Sequence, residues 1–327
     1  MATTFHARWS SIKTFRRCQK LYEYAWLQNI ERKKPIVPLI RGSIIGECLD
    51  RLAAKKGIAP VIKKYEDEYG KLFRAEQEEY GDILGECERI VHNYKRLYAA
   101  DGFKYLKGKD GNPFEVQVES EFTVGSIKVH FTGHIDKLVQ DREGHILVLD
   151  HKSHKSIPGP DARYNDFQLL TYLWLLPLSG LPKADGVLWD YLRTKPPTVP
   201  EVLKNGSLTK RANLDSDHDT YLAAIQEHGL NPDDYKEVLD RFKAEGGNRY
   251  FERVKLPAPQ KELIDNMVSD FKETIIQIVD ATKKGKFVRN MGRDCGSCGF
   301  YQLCQMELRG HDTEFVRKSS YRQRPEK

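Results

Sequence analysis

Apolar residues recur at helical spacing through the first hundred positions. Ile12, Phe15, Cys18 and Tyr22 fall on successive turns, and Ser10 or Ser11 can cap the helix they form. The same spacing predicts helices over 43–55, 61–79 and 82–99, and Gly102, Gly108, Gly111 and Pro113 mark the loop that closes this region. At residue 114 the period changes to two. Ile127, Val129 and Phe131 alternate with Lys128 and His130, which predicts strands over 114–122, 126–139 and 145–152 with turns near Gly125 and Gly144. A helix over 163–176 and a strand over 184–193 follow. Residues 195–248 open with Pro196, Pro197 and Pro200, carry Asn205-Gly206 and continue as short helices, the pattern of an insertion. A strand over 249–256 and a long amphipathic helix over 260–284 lead into a cysteine-rich end. The order helix, three strands, helix, strand predicts a mixed α/β core. Read as one domain, the chain divides into an N-terminal helical region (1–112), a core (113–194), a helical insertion (195–249) and a C-terminal helix with cysteine cluster (250–327). Its 327 residues would also accommodate two domains.

The polar residues that interrupt this pattern converge. Gly133-His134-Ile135-Asp136 lies near the end of one predicted strand, and the next ends in Asp150-His151-Lys152. Alternate strand residues share a face, so Asp150 and Lys152 project together and Asp136 can meet them from its neighbouring strand. Two carboxylates and a lysine at a sheet edge suit phosphodiester cleavage with Mg2+ or Mn2+ held on the carboxylates. Strand-end carboxylates and a surface ion pair are the plainer alternative for the same triplet. Gln168 and Tyr172 are four apart on the following helix, with Tyr164 one turn earlier, and this polar stripe on an apolar helix wants a partner that the sheet edge provides.

Composition narrows the setting. An apolar share of 39% and a charged share of 31% describe a folded chain, and no apolar run or signal-peptide core suggests membrane spanning or secretion, so a cytoplasmic location is expected. The net charge of +6 permits a polyanionic partner. Lys283, Lys284, Lys286, Arg289, Arg293, Arg317, Lys318, Arg322 and Arg324 form either a phosphate track or a solvated surface and frayed tail. Trp174 and Trp189 are compatible with base stacking and, more simply, with a core. Among six cysteines, Cys295, Cys298 and Cys304 form C-x2-C-x5-C flanked by Gly296 and Gly299, the spacing of a metal site; Cys48 and Cys87 read as buried thiols.

Taken together, Gly133-x-x-Asp136, Asp150-x-Lys152 and Gln168-x3-Tyr172, in this order, resemble the RecB-like branch of the PD-(D/E)XK nuclease superfamily. The resemblance implies a restriction-endonuclease-like α/β core, a mixed central sheet flanked by helices. Some members of that branch, among them the CRISPR-associated spacer-acquisition exonucleases and the AddB nuclease domain, carry a four-cysteine iron-sulfur cluster with one early ligand and three late ones. Cys18 matches the early ligand and Cys295, Cys298 and Cys304 the others, implying a [4Fe-4S] cluster, with four-thiolate zinc as the alternative. The resemblance further implies that Asp136, Asp150 and the His151 carbonyl hold Mg2+ or Mn2+, that Lys152 is catalytic, and that Gln168 and Tyr172 support the site. The implied activity is a metal-dependent DNA nuclease, an exonuclease rather than a restriction enzyme, acting on single strands or free ends. With no G-x4-G-K-[ST] motif, it needs a free end or a separate motor such as a helicase or recombination partner. One position departs from the pattern. Gly46 stands where family members carry a metal-binding histidine, which makes Glu47 and His134 candidate substitute ligands, and makes a DNA-binding or assembly module with a decayed site the alternative function.

Overall fold

The computed structural model describes residues 3–34, 36–98, 101–159, 163, 166–244 and 250–325. Strand β1 (Thr3–Ala7) precedes helices α1 (Trp9–Arg17) and α2 (Gln19–Tyr22), a π-turn over Glu23–Leu27 and strand β2 (Ile30–Arg32). Helices α3 (Val37–Ala53), α4 (Ala59–Tyr69), α5 (Arg74–Tyr80) and α6 (Ile83–Tyr98) complete the helical region. The sheet is then built from β3 (Lys104–Leu106), β4 (Phe114–Val124), β5 (Ile127–Gln140), β6 (Ile146–His154), helix α7 (Phe167–Leu178) and β7 (Gly186–Arg193). Helices α8 (His218–Glu227) and α9 (Lys236–Ala244) follow. Strand β8 (Phe251–Pro257), helix α10 (Lys261–Lys284), short helices α11 (Tyr301–Leu308) and α12 (Glu314–Ser320), and β9 (Tyr321–Gln323) end the chain.

Seven strands form one mixed sheet in the order β1-β5-β6-β7-β8, with β4 and β3 also paired to β5. Its parallel pairs, β1 with β5 and β6 with β7, sit among antiparallel neighbours. One face packs on α7 and α10 through Val148, Leu169, Leu173, Trp189, Phe271 and Ile275, and the other meets α3 and α6 through a second core that includes Ile45, Leu49, Val91 and Leu192. This is the mixed α/β sheet flanked by helices that the sequence predicts. The segment between β7 and β8 has its own small core around Tyr221, Ile225 and Phe242.

Several local expectations are corrected. The first helix is capped at Arg8, not at Ser10 or Ser11; Ser11 braces the start from within, its Oγ accepting from Arg8 N at 3.2 Å and donating to Arg8 O at 2.7 Å. Nor does that helix run through to Tyr22, because Cys18 is extended (φ −166°, ψ 120°) between α1 and α2. Helix α3 begins six residues before the expected start at Ser43, and the helix expected over 61–79 is two, parted after Gly70. Strand β1 and the short β3 were not expected. The tail is not frayed, since β9 pairs antiparallel with β2. Much of the basic cluster is also neutralised: Arg289 and Arg317 share Glu307, Arg322 and Arg324 share Glu31, Lys284 meets Asp280 and Lys318 meets Glu314. Tyr164 and the expected strand start at Arg249 lie outside the described residues. Among those described, no helix is long and apolar enough to cross a membrane.

Candidate active site

Strands β5 and β6 part at the site. Their ladder runs from Gln140↔Ile146 to Lys137↔Leu149 and stops, while β6 continues beside β7 to His154. On the edge that β5 has left, the His151 N–H donates to Asp136 Oδ2 at 2.7 Å. That bond ties the Asp136 carboxylate to the end of β6. Because a strand residue presents its N–H and C=O to the same edge, the His151 carbonyl faces this side too.

Asp150 and Lys152 share a face of β6 with core residue Val148, as the period of two predicts. Asp150 is 5% exposed, and Lys152 Nζ lies 2.7 Å from its Oδ2 and over the Trp189 ring. Burial pushes the Asp150 carboxyl up to about 7; the Asp136 carboxylate adds to that push and Lys152 opposes it. Burial also works against the Lys152 ammonium, but Asp150, Asp136 and Asp166 outweigh it and its pKa is raised. Despite the nearby ammonium, Asp150 Oδ2 has no well-aligned hydrogen-bond donor. Two mutually repelling carboxylates, one of them buried, form a donor set that fits a hard divalent cation.

Helix α7 is capped by Asp166, whose side chain accepts from Gln168 N at 2.9 Å. One turn on, Tyr172 is buried and bonds both Gln168 and the His134 backbone; burial raises its pKa, with those two bonds opposing. The ring leaves no room on β5: a Cβ at Gly133 would sit 3.0 Å from the Tyr172 ring and hydroxyl. Glycine here is a condition for seating Tyr172 against the strand.

Asp136, Asp150, Lys152, the His151 backbone, Gln168 and Tyr172 are thus gathered at one place. Glu47 is not: its carboxylate is held by Lys64 Nζ at 2.8 Å and Tyr65 Oη at 2.7 Å, facing α4. His134 is exposed, and strict alternation along β5 breaks between Ile135 and Leu138, which enter the same core, at the level of Asp136. Across the ladder from that break, Glu115 adopts left-handed backbone with φ 49°, a local distortion that re-aims side chains. Sequence reasoning missed Asp166, which acts on both Asp150 and Lys152; its signal was an aspartate two residues before Gln168 at a helix start.

The comparisons with known proteins decide the family. The family model of the PD-(D/E)XK nuclease superfamily matches residues 9–305. The chain belongs to the PD-(D/E)XK nuclease superfamily. No curated protein matches. Two solved structures are similar to this nuclease-superfamily chain: a protein from Eubacterium rectale named "Putative exonuclease" (12% identity, 89% of this chain and 86% of that one, TM-score 0.49) and SSO0001 (17% identity, 75% and 80%, TM-score 0.33).

The same PD-(D/E)XK chain gathers its four spaced cysteines. Cys18, Cys295, Cys298 and Cys304 line one pocket, Cys18 from the break between α1 and α2 and the others from the turn after α10 and from α11. Backbone N–H groups of Asn290 and Gly292 approach the Cys18 and Cys295 sulfurs at 3.5 Å. Cys48 and Cys87 are fully buried elsewhere, in the core under α3 and α6. Among the described residues, the one group of three possible ligands within 4.8 Å of one another is Asp141, Glu143 and His145, at the β5–β6 turn. Asp141 is already paired with Lys255, which makes this an ion-pair cluster.

Proposed function

We propose that this PD-(D/E)XK nuclease is a divalent-metal-dependent deoxyribonuclease that degrades DNA from its ends. The observation that carries the proposal is the meeting of Asp136, Asp150 and Lys152 where β5 leaves β6, with the Asp150 carboxylate buried and paired to Lys152. Asp136, Asp150 and the His151 carbonyl would hold Mg2+ or Mn2+. When bound, such an ion polarises the scissile phosphate and acidifies an attacking water. The chain's own part is to hold both carboxylates at the sheet edge, to present the Lys152 ammonium to charge developing on the phosphate, and to wall the site with Tyr172 and Gln168. The choice of an exonuclease rests on the RecB-like motif order. It is tested with end-labelled linear and closed circular single-stranded DNA in Mg2+, Mn2+ or chelator. Degradation of linear substrate with the circle intact is expected; equal cutting of both makes the protein an endonuclease. DNA binding without cleavage in any metal would support the assembly-module reading, which Gly46 favours because it offers no side-chain ligand.

We further propose that the four cysteines hold a [4Fe-4S] cluster. Tetrahedral zinc at about 2.3 Å per bond draws its sulfurs to roughly 3.8 Å of one another. The meeting of all four cysteines at one pocket, in the order of one early and three late thiolates, supports the cluster. Protein purified without oxygen should contain iron and acid-labile sulfide, and Cys18→Ser should lose both together with folded yield. Stoichiometric zinc without iron would contradict the assignment.

A further inference from the structure

On the face of the sheet opposite Asp150 lies a cavity of about 640 Å³, between the C-terminal end of α3, α6, the segment leading into β3, and the rear of β5 and β6. Its floor is the side chain of His151, pointing away from the candidate active site, beside Lys137. His151 is clamped from both ring nitrogens, with Nε2 2.8 Å from Lys137 Nζ and Nδ1 3.1 Å from Asp190 Oδ2. Lys137, 2% exposed, also donates to Asp50 Oδ1 at 2.8 Å. An ammonium has three donors, so one N–H remains beyond these two bonds.

The charges of the floor are balanced, but those of the mouth are not. Asp50 answers Lys137, and Asp190 and Asp101 answer Arg253. Asp101 is the acid among the lining residues, and it is further engaged by Tyr105 Oη at 3.4 Å. Lys55, Lys56 and Lys95 also line the cavity, are exposed, and have no ion pair among the described residues. The walls between them and the floor are aromatic: Tyr98, Phe103 and Tyr105. The volume falls in the range of small-molecule sites, which is about 300 to 1,000 Å³. Cationic mouth, aromatic wall and buried donor together select a ligand that is both anionic and ring-bearing.

We propose that this rear cavity binds a nucleotide, with its phosphate at Lys55, Lys56 and Lys95 and its base among Tyr98, Phe103 and Tyr105. The site is separate from the cleavage site and does not depend on the cleavage reading. It does abut it, because the residue forming its floor holds Asp136 through its backbone N–H. The test is isothermal titration of the full chain in chelator with ATP and dAMP, with adenosine and inorganic phosphate as part-ligands. Both nucleotides should bind at least about tenfold more tightly than either part-ligand. The double variant Lys56→Glu, Lys95→Glu should weaken binding at least about tenfold, and Asp150→Ala should leave it unchanged. In the unmodified protein, saturating ATP should shield Lys56 and Lys95 from acetylation while leaving Lys283 reactive, a readout independent of any variant's folding. Absence of nucleotide binding overturns the proposal. So does binding that Asp150→Ala abolishes and the charge reversals spare, which would place the nucleotide on the cleavage face.

Discussion

Asp150 carries an electrostatic cost at the candidate active site. Its carboxyl titrates at about 7 in the folded chain against an ordinary 3.8, because burial and Asp136 both disfavour the charge. Between those values the folded state holds a proton that the unfolded chain has released, so this group's effect on stability becomes less favourable as pH rises through the window. In chelator, Asp150→Asn should therefore be more stable than the parent at pH 8, by on the order of 2 kcal/mol after the lost Lys152 ion pair is discounted. The gap should close as pH falls toward 4, as read from thermal midpoints; a gap independent of pH would contradict the assignment of cost to this carboxylate. The triplet itself was legible because alternation along a strand needs no tertiary information. Asp166 was not, since a capping aspartate looks the same whether or not its helix starts beside two other carboxylates.

At the scale of elements, the sheet edge is made by strands that stop pairing, and helix α3 lies behind it. Gly46, in the middle of α3, departs from the pattern that the resemblance implies, and a Cβ placed there meets nothing within 4 Å. Glycine in a helix interior costs about 1 kcal/mol relative to alanine. Gly46→Ala should accordingly raise stability by up to about that amount in urea titrations and leave cleavage unaltered. Lower stability would show that the position is crowded, and lost cleavage that its emptiness is used. Long periodic elements such as α6, β4, β5 and α10 could be read from their patterns. The short β1 could not, because five residues that stabilise themselves only by pairing with β5 carry little periodic signal. The break at Cys18 was hidden for a different reason: helical spacing of Phe15, Cys18 and Tyr22 continues across the bend at which Cys18 lines the cysteine pocket.

In the whole molecule, the two ends of the chain are fastened to each other, and the sheet is used on both faces. Pairing of β2 with β9, the shared Glu307 and the cysteine pocket join the first helices to the last, which explains why losing Cys18 should cost folding before chemistry. The rear cavity was invisible in the sequence, because its walls come from segments about a hundred residues apart and none carries a motif. The front site was visible because strand order places its residues within one short stretch of chain. The account stands most directly on that front site being hydrolytic. Cleavage of end-labelled DNA should be compared between the parent and Asp150→Ala, with Mg2+, Mn2+ or chelator, on protein purified without oxygen. The account predicts cleavage that requires metal and disappears in the variant while the fold is retained; cleavage that persists in folded Asp150→Ala protein would contradict it.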